Sequence, residues 1–269
     1  MQLKDVDATT EDAFLRCLHL ETPASEDVMA LRRRWYDRYR RAGLRAKVLV
    51  DDANTVVAMG QYVPIGISPF LGDDLAVILC MWVHGYDHHI GNVQGRGYGK
   101  QLLGGMEREI ADAGFGGIVA WGMAFPYWNP VSWYLSRGYR KVDQRGQEVL
   151  VWKPLRGDAT PPAFLPPGAP AVTGGDKPTL AVYLNAWCTG GCGVTHQARC
   201  AARHFGDRIA YVEFDTDGKG DLLRHGIDSG VFVNGAPYRR FEPPWTTETL
   251  IEDIERLLAG GGRRPDPSG

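Results

Sequence analysis

The chain has 269 residues, 44% apolar and 23% charged, with a formal net charge of -2. That length suits two domains of roughly 100–200 residues, and the composition excludes a disordered or fibrous chain. No basic excess marks nucleic acid or an anionic membrane as the main partner, and the longest apolar run, Leu75 to Val83, is far below the ~20 residues that cross a bilayer.

Gln2 to Val6 reads as a short strand, followed by two helical segments. In the second, Val28, Leu31, Trp35 and Tyr39 fall at three- and four-residue spacing, which leaves Arg33, Arg34, Arg40 and Arg41 on a solvated face. Strands are predicted over 46–50, 55–64 and 75–83. The last is rich in Val, Ile and Leu on both parities, as a strand buried on both faces requires. A glycine-rich loop, 91–99, opens a helix from Lys100 to about Ala113. A strand over 117–122, a short helix over 130–136 and a strand over 148–152 complete the first domain. Strands followed by a strand–glycine loop–helix–strand core indicate mixed α/β architecture.

Residues 154–178 carry prolines at 154, 161, 162, 166, 167, 170 and 178. Proline fixes φ and removes an amide donor, so the segment reads as a partly extended linker. Domains are therefore expected over 1–153 and 179–259, with a disordered tail over 260–269. In the second domain, Thr179 to Trp187 reads as a buried strand that runs into Cys188-Thr-Gly-Gly-Cys192 and a helix to about Phe205. Ile209–Phe214, a short helical stretch, a hairpin at Asn234-Gly235 and a helix over 246–258 follow. The charged N-terminus, Met1 to Asp5, lacks the apolar core of a signal peptide, and the five cysteines lack the spacing of a secreted scaffold. A reducing cytoplasm is the expected setting.

A strand that ends in clustered glycines and becomes a helix is built to receive an anion. Free amides and partial positive charge meet there, and glycine lets the backbone come close. A Walker A loop fails because positions 94 and 101 are both Gln, and the dinucleotide fingerprint fails because Lys100 and Leu102 stand where its third glycine belongs. What remains is Gln94-Gly95-Arg96-Gly97-Tyr98-Gly99, a Gln/Arg-x-x-Gly-x-Gly/Ala pattern. Downstream lies Asn129-Pro-Val-Ser-Trp-Tyr134, which leads into Gly138-Tyr139.

On these two segments the first 153 residues resemble the GNAT superfamily of acyl-CoA-dependent N-acetyltransferases. The resemblance implies a mixed sheet flanked by helices that splays between the 75–83 and 117–122 strands. It also implies acetyl-CoA as co-substrate, with its diphosphate on residues 94–99 and the start of the next helix at Lys100. Its pantetheine arm would pair with the backbone near Trp82 and Val83, and Asn129 would touch the coenzyme. The acyl acceptor would be the amine of a small molecule, attacking directly. Tyr134 occupies the position of the general acid. His84, the nearest titratable group after the strand, is a candidate base, with a structural role equally open. Residues 85–92 lengthen the path to Gln94, and Asp87, His88 and His89 do not make a metal site, since adjacent histidines chelate poorly.

The Trp-Cys turn and element order of the second domain are similar to thioredoxin-like and YoaP-like domains, giving a second, smaller α/β fold. Two departures stand against dithiol–disulfide chemistry. Three residues separate Cys188 from Cys192, and Ser229-Gly230 stands where a proline is expected. Cys188 and Cys192 are thus candidates for redox or thiol-ligand chemistry, for a soft metal, or for packing, whereas Cys17 and Cys80 read as packing residues. Two other functions stay open: a non-catalytic acyl-CoA-binding redox sensor, and a thiol–disulfide enzyme with a recruiting first domain. Phe125, Tyr127, Trp128 and Trp133 suggest an apolar wall, and the oligomeric state is not written in the sequence.

Overall fold

The computed structural model describes residues 1–18, 25–126, 128–172, 175–238 and 246–259, so Tyr127 and the tail lie outside the described residues. The chain forms two compact units. One holds Met1–Pro166 with Trp187–Thr189; the other holds Pro167–Ala186 with Gly190–Gly269. Among the described residues no helix is long and apolar enough to cross a membrane.

The first unit runs β1 (Gln2–Asp5), α1 (Glu11–Leu15), α2 (Glu26–Arg40), β2 (Arg45–Val50), β3 (Val56–Pro64), β4 (Phe70–Leu71) and β5 (Leu75–Val83). It continues through α3 (Tyr98–Asp112), β6 (Gly117–Met123), α4 (Val131–Leu135), β7 (Arg140–Arg145), β8 (Glu148–Pro154) and β9 (Ala163–Phe164). Seven strands form one sheet in the order β1-β2-β3-β5-β6-β8-β7. All neighbours are antiparallel except β5 and β6, which run parallel. This is the expected mixed α/β architecture.

The Ser25 hydroxyl caps α2 by accepting from the Val28 amide, and Val28, Leu31, Trp35 and Tyr39 are buried as the spacing predicts. The stripe also buries Arg32 completely. Its guanidinium lies 4.8 Å from the Trp35 ring centroid and 5.1 Å from that of Phe14, and donates to Gln61 Oε1 at 2.8 Å. Cation–π attraction and a hydrogen bond offset the cost of burying that charge. Leu102, Leu103, Met106 and Ile110 of α3 pack onto Ala58, Ile78, Ile118, Ala120 and Val151 of the sheet. Fully burying such a side chain stabilises the fold by about 1.5–3 kcal/mol.

Two features are absent from the sequence reading. β7 is almost wholly polar, Arg-Lys-Val-Asp-Gln-Arg, and sits at the sheet edge, where charge deters pairing with other chains. β4 and β9 are two-residue strands that pair with each other and bring the Phe70 and Phe164 rings to 5.6 Å. β9 lies inside the stretch read as a linker. Parts of that stretch are anchored: Leu165 is buried in the first unit, and the Gly168 and Ala171 amides donate to Gly226 O and the Tyr183 hydroxyl in the second.

The second unit runs β10 (Thr179–Leu184), α5 (Thr189–Phe205), β11 (Ala210–Asp215), α6 (Lys219–His225), β12 (Gly230–Val233), β13 (Ala236–Pro237) and α7 (Thr247–Leu258). Its sheet has the order β11-β10-β12-β13, with β10 parallel to β11 and antiparallel to β12. Leu180, Val182, Ala198, Phe205, Val231, Leu250 and Ile254 form its core. Asn234 and Gly235 take φ of 49° and 77°, the left-handed pair that a two-residue hairpin needs. β10 ends at Leu184 rather than Trp187. Asn185 and Ala186 turn away to reach Thr216 O and Asp217 Oδ1, at 3.3 and 2.7 Å.

Candidate active site

The seven-stranded sheet opens at one seam. β5 and β6 pair only through Leu75–Gly117, Ala76–Ile118 and Val77–Val119. Beyond these the strands part, as the splay was expected to. The register of β5 against β3 slips at Gln61/Tyr62, where Ile78 and Cys80 take successive partners and Leu79 is left over. A bulge of this kind bends the strand and sharpens its twist. At the mouth of the seam the Trp121 indole donates to Leu79 O at 2.8 Å.

Backbone polarity along the open edge follows from the pairing. The His84 amide donates to Val57 O, so His84, Trp82 and Cys80 turn their main chains toward β3, and Met81 and Val83 turn theirs away. Of the two residues expected to meet the pantetheine arm, Val83 thus turns its main chain to the open edge and Trp82 turns its own to β3. Trp82 is committed to its partner Met59, and Met81 presents its amide and carbonyl to the seam. Only strand register separates these adjacent residues, and composition does not contain it. The Val83 carbonyl accepts from Gln94 Nε2 at 3.0 Å, tying the glycine turn to the strand end.

Residues 94–99 form the turn that starts α3, which begins at Tyr98, two residues before the predicted start. Gly95 and Gly97 take φ of 77° and 83°, with open space where a Cβ would stand, so their need for glycine is conformational. Gly97 is the N-cap and no side chain caps the helix. The amides of its first turn are thus left for solvent or a ligand. At Gly99 the constraint is space instead, since an added Cβ would stand 3.3 Å from the Trp133 ring. From the turn a cavity of about 600 Å³ extends along α3 to the end of α4, lined by Gly97, Lys100, Gln101, Arg108, Ser136 and Arg137 among others. Arg137 is held there by hydrogen bonds to Trp133 O and Ser136 Oγ, its guanidinium 3.9 Å from the Trp133 ring centroid.

Tyr134 is 3% exposed, on α4. Burial first, and then the nearby Cys80 thiol, push its pKa upward, so the phenol keeps its proton at neutral pH. Asn129 takes a φ of 41° and braces the end of β6: its Nδ2 donates to Trp121 O at 3.0 Å and its carbonyl accepts from the Met123 amide at 2.8 Å. Gly122 permits this approach, since a Cβ there would stand 2.8 Å from Asn129 O and 2.9 Å from the Val131 backbone.

His84 is 2% exposed, with Nδ1 3.0 Å from Gly91 O and with Nε2 buried. The Val93 amide donates back to His84 O. Both bonds close the loop over residues 84–93, and the His84 ring packs against those of Tyr86 and His88 at 5.8 and 6.0 Å.

The cysteines divide. Cys192 is buried in the second unit, its thiol 3.8 Å from Ala186 O, whereas Cys188 is half-buried in the 187–189 segment counted with the first unit. No disulfide links them. In the first unit Gln61 Nε2 donates to Trp187 O at 2.7 Å, Thr189 Oγ1 donates to Leu15 O at 2.8 Å, and Cys17 Sγ lies 3.0 Å from Thr189 Oγ1. Burial, and next the neighbouring Cys17 and Cys188 thiols, raise the Cys80 pKa well above its ordinary value. Among the described residues no group of His, Cys, Asp or Glu is arranged to hold a metal ion.

No protein-family model matches the chain, and no curated protein matches it. Solved structures do. The chain is similar to a ribosomal-protein-alanine N-acetyltransferase from Brucella melitensis, with 18% identity, a TM-score of 0.44, and 58% of this chain and 100% of that one covered. It is similar to an aminoglycoside 6'-acetyltransferase type Ii, with 16% identity, a TM-score of 0.43, and 57% and 97% covered. It is also similar to a GNAT family acetyltransferase from Brucella melitensis in complex with acetyl-CoA, with 14% identity, a TM-score of 0.40, and 61% and 94% covered.

Proposed function

We propose that the first unit is a GNAT-type N-acyltransferase that moves an acetyl group from acetyl-CoA to the amine of a small molecule. The observation that carries this reading is the uncapped glycine turn at residues 94–99, set beside the unpaired edge of β5. A diphosphate fits a turn whose first amides lack a side-chain cap and whose glycines leave open space. Lys100, Arg108 and Arg137 make the adjoining cavity suited to the phosphorylated nucleotide end. Met81 presents its amide and carbonyl, and Val83 its amide, to an amide-bearing arm lying in the seam.

The bound thioester supplies an activated acyl group and a thiol leaving group. The chain does the rest. Main-chain donors on the open edge of β5 stabilise charge on the thioester carbonyl oxygen. The Tyr134 phenol, kept protonated by burial, donates its proton to the departing sulfur. His84 holds the loop over 84–93 rather than collecting the amine's proton, which leaves through water. Isothermal calorimetry with coenzyme A, paired with a free-thiol release assay using acetyl-CoA and an amine panel, tests the reading. Saturable heat and amine-dependent thiol release are expected; no heat overturns it.

The second unit we read as a thioredoxin-like accessory module. What supports this is its sheet order and the parallel β10–α5–β11 crossover. The burial of Cys192, with Cys188 counted in the other unit, argues against a dithiol couple. Titration of the folded chain with an aromatic disulfide reagent is expected to modify Cys188 while Cys192 stays silent until denaturant is added. Equal rates at both positions would restore the dithiol reading.

A further inference from the structure

Resting on the acyl-transfer reading, one feature of the same seam bears on what enters it. The two faces of the sheet differ beside the opening. Met81 and Val83 of β5, with Ile118 and Ala120 of β6, pack on the face that α3 covers. Trp82 and Trp121 alternate with them and stand on the opposite face, one on each side of the splay. Trp121, anchored to Leu79 O, carries Trp128 edge-on at 5.7 Å and packs edge-on against Trp187 of the same unit at 5.9 Å. Trp82 carries Tyr86 at 6.0 Å, and Tyr86 stacks on His88 at 5.1 Å with an interplanar angle of 11°.

Two of these aromatics are exposed: Trp128 is 50% and Tyr86 38% accessible, among the few large apolar side chains on the surface. Each exposed ring is backed by a tryptophan of the strand beside the opening, Tyr86 by Trp82 and Trp128 by Trp121. The rings come from two separate segments, the loop after β5 and the connection after β6, which flank the seam. An amine arrives as an ammonium, and indole faces attract a cation while their area buries a flat carbon body.

We propose that the acceptor is a primary amine on a flat apolar body, an aryl-alkyl amine, received between the Trp82–Tyr86 and Trp121–Trp128 walls, with Trp128 and Tyr86 setting specificity. The coenzyme is held from the other face, at the start of α3, so these two residues act on the acceptor alone.

The test is thiol release from acetyl-CoA by the full chain with 2-phenylethylamine, n-propylamine, glutamate and spermidine as acceptors, beside coenzyme A calorimetry. The expected kcat/KM for 2-phenylethylamine is roughly tenfold or more above the others, from burial of its ring. Trp128→Ala and Tyr86→Ala should each raise its KM roughly fivefold to tenfold with coenzyme A affinity unchanged, and Trp128→Phe should recover most of the loss. Preference for glutamate or spermidine with normal coenzyme binding overturns this inference and leaves acyl transfer standing. An unmoved KM in both alanine variants overturns it too. Absence of coenzyme A binding takes down both.

Discussion

Gly97→Glu is expected to abolish measurable coenzyme A binding in calorimetry. Gly97 is the N-cap of α3 at a φ of 83°, a conformation that L side chains adopt at a cost of about 1–2 kcal/mol. The larger effect is electrostatic. A carboxylate at the cap competes for the amides that a diphosphate needs and repels its charge. Losing one or two charge-assisted hydrogen bonds, each about 1.5–3 kcal/mol, and adding that repulsion lowers affinity by roughly a hundredfold or more. Gly97→Ala separates the causes. It carries the backbone strain without the charge, so its affinity should fall by about tenfold or less. An affinity for the glutamate variant within a few fold of the parent would show that the turn does not hold the diphosphate.

Tyr134→Phe is expected to lower kcat by roughly 10²–10³ while coenzyme A binds as before. The hydroxyl is the one atom removed, and 3% exposure with Trp133 and Tyr139 rings packed at 5.1 and 5.5 Å holds the phenylalanine ring in place. The pH profile gives an independent check. Burial, then the Cys80 thiol, raise the Tyr134 pKa, so the acid form persists through neutral and mildly alkaline solution. The parent enzyme should show no falling limb across pH 7–9 from this group. A fall between pH 7 and 9 that the phenylalanine variant lacks, or a phenylalanine variant with unchanged kcat, would remove a persistently protonated Tyr134 from the proton-transfer step.

The parts of this chain legible in sequence were those governed by local rules. Val28, Leu31, Trp35 and Tyr39 repeat with the helix, and α2 buries them. Leu75 to Val83 is apolar on both parities, and β5 is buried from Leu75 to Leu79, becoming half-buried from Cys80 to Val83. The glycines at 95 and 97 mark a turn because their backbone angles need no distant partner. The Asn-Gly hairpin and the α–β order of the second unit are local in the same sense.

Tertiary structure alone decided the rest. Arg32 looks like one more member of a charged run, yet it is fully buried, because Phe14, Trp35 and Gln61 come from three elements to receive it. β7 carries almost no apolar signal and is a strand only because β8 offers it an edge. Whether Met81 or Trp82 faces the open seam depends on the register of β5 against β3 and on the bulge at Leu79. Cys188 and Cys192, neighbours in a short motif, are assigned to different units. Sequence determines what each residue prefers within a turn or two of chain, since helical and strand periodicity and left-handed φ are short-range properties. Which edge, face or charge is left open is decided by contacts between distant segments, and the chemistry proposed here depends on those openings.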